Sequence, residues 1–104
     1  MSFKTVLSKQ TKKDIRKLYK YLSVRNISAT ERLIKSIFDR ILLLEKNPQI
    51  APFELFIDSD IEYRSLVVSH YKIIFLVDND IITIVTIWDC RQNPYKLIKL
   101  LKRI

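Results

Sequence analysis

Residues 63–89 read "YRSLVVSHYKIIFLVDNDIITIVTIWD", and this stretch decides the fold. Three runs rich in β-branched and aromatic residues, at 63–68, 70–77 and 81–89, are separated by short breaks at Ser69 and at Asp78-Asn79-Asp80. This spacing predicts an antiparallel meander of three strands. The third run is apolar at nearly every position, so we expect it to be a central strand that is covered on at least one face.

The region before the meander carries a short strand pattern at 2–7 and then two helical patterns. In the first helix, Ser8 is a plausible N-cap, and apolar residues at 15, 18, 19 and 22 follow the period of a helix with one buried face. The second begins with Ser28 and Glu31 in a capping-box arrangement and ends at Asn47-Pro48. Because the link between them is short, we expect a helical hairpin.

The segment 47–62 contains two prolines and four carboxylates, which indicates a connecting loop with room for a short strand near 53–57. After the meander, Asn93 is a natural N-cap with Pro94 at the first helical position, and a short amphipathic helix follows. The predicted order is β-α-α-β-β-β-α. We therefore predict a single α+β domain over residues 1–104, with the helical hairpin packed on one face of an antiparallel sheet.

Charge divides the chain into two basic ends and an acidic middle. The 19 Lys and Arg residues against 11 Asp and Glu give a formal net charge of +8. Residues 4–20 hold seven of these cations and 91–104 hold five, whereas 47–63 hold none. This balance favours a nucleic acid or an acidic protein as partner.

Residue types that are missing or scarce exclude several classes of function. Glycine is absent, so the chain has neither a P-loop nor a dinucleotide-binding fingerprint. One His and one Cys are too few for a zinc site, and we expect neither a metal nor another cofactor. No apolar run approaches the ~20 residues that cross a bilayer, and no signal peptide is evident, so we expect a cytoplasmic protein with no membrane partner.

A family resemblance rests on three features of the meander and the residues after it. Arg64 opens the second strand, Tyr71, Ile73 and Phe75 form a Tyr-x-Ile-x-Phe strand, and the polar stretch 91–94, Arg-Gln-Asn-Pro, ends the last strand. In these features the chain resembles the RelE/ParE superfamily of toxins from bacterial type II toxin-antitoxin systems, a plasmid stabilisation family. The stretch 91–94 and the basic tail look more like the ParE side.

The resemblance implies one of three functions. A ParE-like member inhibits growth by poisoning DNA gyrase and is no enzyme, and this reading is slightly favoured. A RelE-like member is a metal-independent endoribonuclease that cuts mRNA on the ribosome. The third alternative, from another class, is an inactive toxin relative that binds nucleic acid. In either toxin the partner is a cognate antitoxin, with gyrase or the ribosome and its mRNA as target.

Cleavage of RNA by its own 2′-hydroxyl needs a base, an acid and fixed cations. By resemblance, Arg64 and Arg91 would be the cations, and Tyr95 or His70 the acid or base. Each also has a structural reading: a strand arginine for Arg64, an ion pair with Asp89 for Arg91, a solvated turn for His70, and packing of the first turn of the last helix for Tyr95. The acidic segment 47–63, which would repel RNA, weakens the nuclease reading.

In a ParE-like reading the candidate binding residues follow the last strand. They are Arg91, Gln92, Asn93, Lys96, Lys99, Lys102 and Arg103. Lysines at 9, 12, 13, 17 and 20 add to this surface only if the two ends of the chain converge in space. The remaining aromatic residues of the meander, together with Cys90, are expected to be buried.

Overall fold

A computed structural model describes residues 2–55 and 60–103. Its elements are β1 (Lys4–Leu7), α1 (Lys9–Ser23), α2 (Ile27–Lys46), a 3-10 turn (Pro48–Ile50), β2 (Arg64–Val68), β3 (Tyr71–Asp78), β4 (Ile81–Asp89) and α3 (Pro94–Arg103). The predicted α+β order is confirmed. The predicted short strand near 53–57 lies partly outside the described residues, and within them Phe53 makes an isolated bridge to Arg64.

The four strands form one sheet in the order β1-β4-β3-β2, so β4 is central as expected. The β2-β3-β4 meander is antiparallel, which confirms the prediction from spacing. The expectation of a wholly antiparallel sheet is wrong, because β1 pairs with β4 in parallel, from Lys4 beside Ile81 to Leu7 beside Ile84. In parallel and antiparallel pairs alike, successive side chains of a strand point to opposite faces of the sheet. The sequence pattern of a strand therefore does not show whether it runs parallel or antiparallel to its neighbour.

Both hairpin turns of the meander are two residues long and contain no glycine. The first residue of each turn, Ser69 or Asn79, has a φ of 56°. This left-handed conformation suits glycine best, asparagine tolerates it, and serine adopts it at a cost of about 1 kcal/mol. The chain therefore makes its tightest turns with small polar residues.

The sheet carries a hydrophobic core on each face. On one face the α1–α2 hairpin covers wholly buried residues such as Phe75 and Ile84, which confirms the predicted packing of the hairpin. On the opposite face Leu97 and Leu101 of α3 pack on Trp88. The aromatic residues of the meander are buried as expected, and the hairpin and the last helix lie on different faces.

The second helix begins one position before the predicted cap. Asn26 is the N-cap, and its side-chain oxygen accepts a hydrogen bond from the Ala29 amide at 2.9 Å. Ser28 therefore lies inside the helix, and the predicted capping box is wrong. Since α1 ends just before this point, with the Asn26 amide bonded to the Leu22 carbonyl, Asn26 is already placed to cap α2.

The edge of β4 beyond β1 is covered by side chains of α1. β1 ends at Leu7, beside Ile84, so the later residues of β4 have no strand beside them on that edge. Thr11 Oγ1 donates to the Ile84 carbonyl at 2.8 Å, and Ser8 Oγ donates to the Val85 carbonyl at 2.7 Å. Ser8 Oγ also accepts from the Thr11 amide at 3.0 Å, which confirms Ser8 as the N-cap.

Asp14 continues this edge contact one helical turn later. Its Oδ2 atom accepts from the Ile87 amide at 3.1 Å and from the Thr86 hydroxyl. Its Oδ1 atom accepts from Gln10 Nε2 at 2.8 Å. Thr86 is wholly buried, so the carboxylate satisfies donors that water does not reach.

We expect Asp14→Ala to lower the free energy of unfolding by about 2–3 kcal/mol, because it leaves the Thr86 hydroxyl and the Ile87 amide without an acceptor. Urea unfolding measures the loss. The matched control is Asp39→Ala, which removes an exposed ion pair with Lys35 and should cost about 0.5 kcal/mol or less. Equal losses in the two variants would contradict the role given to Asp14.

Candidate functional site

The first helix and the last helix face each other across the end of β4 and enclose a cleft of about 320 Å³. We call it the basic cleft. It is lined by Gln10, Asp14 and Lys17 of α1, by Lys96, Lys99, Leu100 and Arg103 of α3, and by Ile87, Trp88 and Gln92 between them. Residues 10, 14 and 17 of α1 and residues 96, 99, 100 and 103 of α3 follow the three- and four-residue spacing of one helix face.

The basic cleft carries a net positive charge. Lys17, Lys96, Lys99 and Arg103 line it, with Asp14 as the one carboxylate. None of the four cations makes an ion pair within the described part of the chain, whereas Asp14 accepts three hydrogen bonds. The positive charge is therefore available to a ligand.

A second depression, of about 280 Å³, adjoins the basic cleft along α1. We call it the tyrosine hollow. It is lined by Asp14, Lys17, Leu18, Tyr21, Tyr71, Ile87, Asp89 and Gln92. Beyond it, α1 presents an apolar surface on which Tyr21 is 65% exposed and Val24 is 86% exposed. One continuous groove therefore runs from a basic end to an apolar end.

Asp89, the last residue of β4, forms an ion pair with Arg91 through two hydrogen bonds. Arg91 donates from Nε to Asp89 Oδ1 at 3.0 Å and from Nη2 to Oδ2 at 2.9 Å, which confirms the expected partner. Its guanidinium lies 6.0 Å from the centre of the Tyr71 ring. The side-chain hydrogen bond from Arg91 lowers the pKa of Asp89, while burial raises the pKa of Tyr71. At neutral pH the pair is ionised and Tyr71 is not.

Arg64 lies in a separate structural contact. Its Nη1 atom donates to the Ala51 carbonyl at 2.6 Å, and its guanidinium lies 4.0 Å from the centre of the Phe53 ring. In the sheet it is opposite Phe75, four residues along β3 from Tyr71, or about 13 Å. Because Tyr71 is opposite Asp89 at the far end of the strand, Arg64 and Arg91 are not brought into one site.

His70, Cys90 and Tyr95 all lie on the surface near the strand ends. His70 is exposed in the β2–β3 turn, as expected, and its carbonyl accepts from the Cys90 amide at 2.8 Å. Cys90 is exposed, so the expectation of a buried cysteine is wrong: it follows the last residue of β4. Tyr95 is exposed in the first turn of α3, where its amide donates to Asn93 Oδ1 at 3.0 Å.

The described ranges 2–55 and 60–103 contain no group of three His, Cys, Asp or Glu side chains that would hold a metal ion. In the same ranges no helix combines the length and the apolar composition needed to cross a bilayer.

The sequence profile described as ParE toxin of type II toxin-antitoxin system, parDE, matches residues 6–94. The chain belongs to the ParE toxin family. A solved structure titled "Chromosomal ParDE TA system from P. aeruginosa" superposes on this ParE family member with a TM-score of 0.67 at 14% identity. The match covers 83% of this chain and 94% of the other, and shows a common fold. No curated protein sequence matches significantly.

The predicted binding residues of this ParE family member divide into three groups. Gln92, Lys96, Lys99 and Arg103 lie together in the basic cleft, whereas Lys102 is exposed outside its lining. Arg91 is in the ion pair, and Asn93 caps α3. Their binding roles stay predictions.

Three lining residues of α1 were not predicted from the sequence, namely Gln10, Asp14 and Lys17. Lys17 is one of the lysines that were expected to join the binding surface only if the two ends of the chain lie close together. In the structure α1 and α3 line the same cleft. The spacing of 10, 14 and 17 was the available signal, because it places them on one helix face.

We expect Arg64→Ala to lower the free energy of unfolding by about 1.5–3 kcal/mol, since it removes a charged hydrogen bond and the packing on Phe53. Growth inhibition should persist at a temperature where the variant stays folded. Arg91→Ala is the control for an exposed arginine and should change stability little. A variant that remains as stable as the original but loses all toxicity would contradict the structural role of Arg64.

Proposed function

We propose that this ParE family member is the toxin of a type II toxin-antitoxin pair and stops growth by acting on DNA gyrase, without cutting RNA. The observation that carries this proposal is the separation of Arg64 from Arg91. Arg64 donates a hydrogen bond to the Ala51 carbonyl, and Arg91 forms an ion pair with Asp89 at a different position along the strands. An endonuclease of the RelE kind needs such cations together beside the phosphate.

The surroundings of these arginines also support binding over cleavage. Lys72, on the face of the sheet that carries α3, is paired with Glu54 at 2.8 Å, so its charge is compensated. His70 lies on an exposed turn, where nothing orients its ring for proton transfer within the described structure. The RelE-like nuclease stays the alternative, and the experiment below separates the two.

The surface offered to gyrase is the polar stretch after β4 with the cleft face of α3. Arg91, Gln92, Lys96 and Lys99 are exposed there on a rigid support, because Asn93 caps the helix and Leu97 anchors it to the sheet. Exposed side chains on a fixed helix form a pre-organised binding surface. The location that goes with a gyrase target and a cognate antitoxin is the cytoplasm, which we propose for this protein.

To test the target, purified toxin is added to gyrase with supercoiled plasmid and, separately, to a reconstituted translation reaction. We expect linear, gyrase-linked DNA in the first and intact mRNA in the second. The double variant Arg91→Ala with Gln92→Ala should reduce gyrase-dependent cleavage at least about tenfold, as loss of two central contacts does.

The matched control is Arg32→Ala with Gln49→Ala, which removes the same residue types from exposed positions in α2 and the 3-10 turn, outside the lining of the basic cleft. It should retain full activity. Cuts within codons at the ribosomal A site, with no effect on gyrase, would replace this proposal with the nuclease reading. Absence of both effects in a folded protein would point to an inactive relative.

We assign the antitoxin to the tyrosine hollow and the apolar surface beyond it. Tyr21 and Val24 are large apolar side chains exposed side by side on α1, and Lys17, Lys20 and Arg25 surround them. An amphipathic segment with acidic flanks complements this pattern of apolar anchors and basic rim. Such a segment would neutralise the toxin by covering the groove beside the gyrase-binding surface.

We expect Tyr21→Ser with Val24→Ser to weaken binding of the protein encoded beside the toxin gene by about tenfold or more, because both apolar anchors are lost. Isothermal titration calorimetry measures the affinity. The control is Tyr19→Ser with Ile27→Ser, two exposed apolar residues that do not line the hollow. An equal effect of the two variants would rule out this surface as the antitoxin site.

A further inference from the structure

We infer that the basic cleft binds the phosphodiester backbone of duplex DNA through Lys17, Lys96, Lys99 and Arg103. This contact is made by the toxin alone and does not depend on gyrase, so it goes beyond the function proposed above. It assigns a ligand to the one place in the described structure where cations of both chain ends face each other.

The spacing of the cations fits a phosphate backbone. Lys96 and Arg103 are seven residues apart on α3, which is about 10.5 Å along the helix axis. Each strand of B-DNA carries one phosphate per ~3.4 Å of helix axis, and neighbouring phosphates lie further apart than this because the strand winds around the axis. This row therefore spans about two to three phosphates. Lys99 lies within the row and Lys17 faces it from α1, so the backbone of one strand is contacted from two sides.

The Asp14 carboxylate does not cancel this charge. It is the one acidic side chain of the cleft, and its oxygens accept hydrogen bonds from Gln10, Thr86 and the Ile87 amide. These bonds hold it against the edge of β4, whereas the four cations have no carboxylate partner within the described residues. The cleft therefore keeps an excess of positive charge.

The floor of the cleft favours backbone contact over base contact. Its aromatic residue, Trp88, is only 8% exposed because α3 covers it, so it offers no face on which a base can stack. Proteins that hold single strands rely on such exposed aromatic platforms. We therefore expect binding to duplex DNA that is independent of sequence and sensitive to salt.

An acidic protein segment fits the cleft less well than DNA does. An amphipathic acidic segment docks through exposed apolar anchors, and Ile87 and Trp88 on the floor of the cleft are buried. The exposed anchors of this groove lie outside the basic cleft: Tyr21 lines the tyrosine hollow and Val24 lies beyond it. The basic end of the groove thus suits DNA, and the apolar end suits an amphipathic protein segment.

The test is fluorescence anisotropy with a labelled 20-base-pair duplex, from 50 to 300 mM salt and without gyrase. The cleft variant carries Lys17→Gln, Lys96→Gln, Lys99→Gln and Arg103→Gln. Because each phosphate contact contributes about 0.9 to the salt slope of duplex binding, the slope should fall by about 3 to 4. At 100 mM salt the affinity should fall at least about tenfold.

The control variant carries Lys12→Gln, Arg32→Gln, Arg40→Gln and Lys46→Gln, which removes the same number of charges from exposed helix positions outside the cleft. Its slope should fall by less than about 1. Equal slopes for the two variants would overturn the proposal, because binding would then follow net charge alone. A cleft variant that weakens an acidic peptide more than duplex DNA would also overturn it.

Circular dichroism and urea unfolding check that each variant is folded. If the fourfold cleft variant is destabilised, the pair Lys96→Gln with Lys99→Gln is compared with Arg32→Gln and Arg40→Gln. The expected fall in salt slope is then about 2 for the cleft pair. Because gyrase is absent throughout, failure of DNA binding leaves the gyrase proposal unaffected, and the reverse holds as well.

Discussion

The hydrogen bonds between α1 and the edge of β4 hold the molecule together as a functional unit. Ser8, Thr11 and Asp14 recur every three residues, and their side chains bind backbone groups of β4 at and beyond the point where β1 ends. An open strand edge is a site for unwanted pairing, and here a helix closes it. The same bonds fix the position of α1 over the end of the sheet, where the groove forms.

The groove exists because helices from the two faces of the sheet meet at one edge. α1 belongs to the core on one face, and Leu97 and Leu101 anchor α3 to the core on the other. α1 contributes Lys17 to the space between the helices, and α3 contributes Lys96, Lys99 and Arg103. Residues 24–93 separate the two helices in the chain. Cations from the two basic ends of the sequence therefore lie on one surface.

The two arginines that most resemble those of a nuclease each contact other residues of this chain. Arg64 joins β2 to the loop at Ala51 and Phe53, and Arg91 closes the turn after β4 onto Asp89. Toxins with different targets share this fold, so the fold alone does not identify the target. The target has to be inferred from the chemistry of the site. The groove has exposed cations at one end and exposed apolar residues at the other, and both kinds of side chain are suited to contacts with a partner.

Local periodicity, capping chemistry and short motifs were enough to predict the order of elements, the Ser8 and Asn93 caps, the antiparallel meander and the family resemblance. The structure was needed to show that β1 runs parallel to β4, that α3 packs opposite the hairpin, and that Lys17 faces Lys96 and Lys99. It also assigned Arg64 to Phe53 and not to Arg91. These outcomes depend on contacts between residues far apart in the chain, and a local pattern does not specify which distant surface a side chain meets.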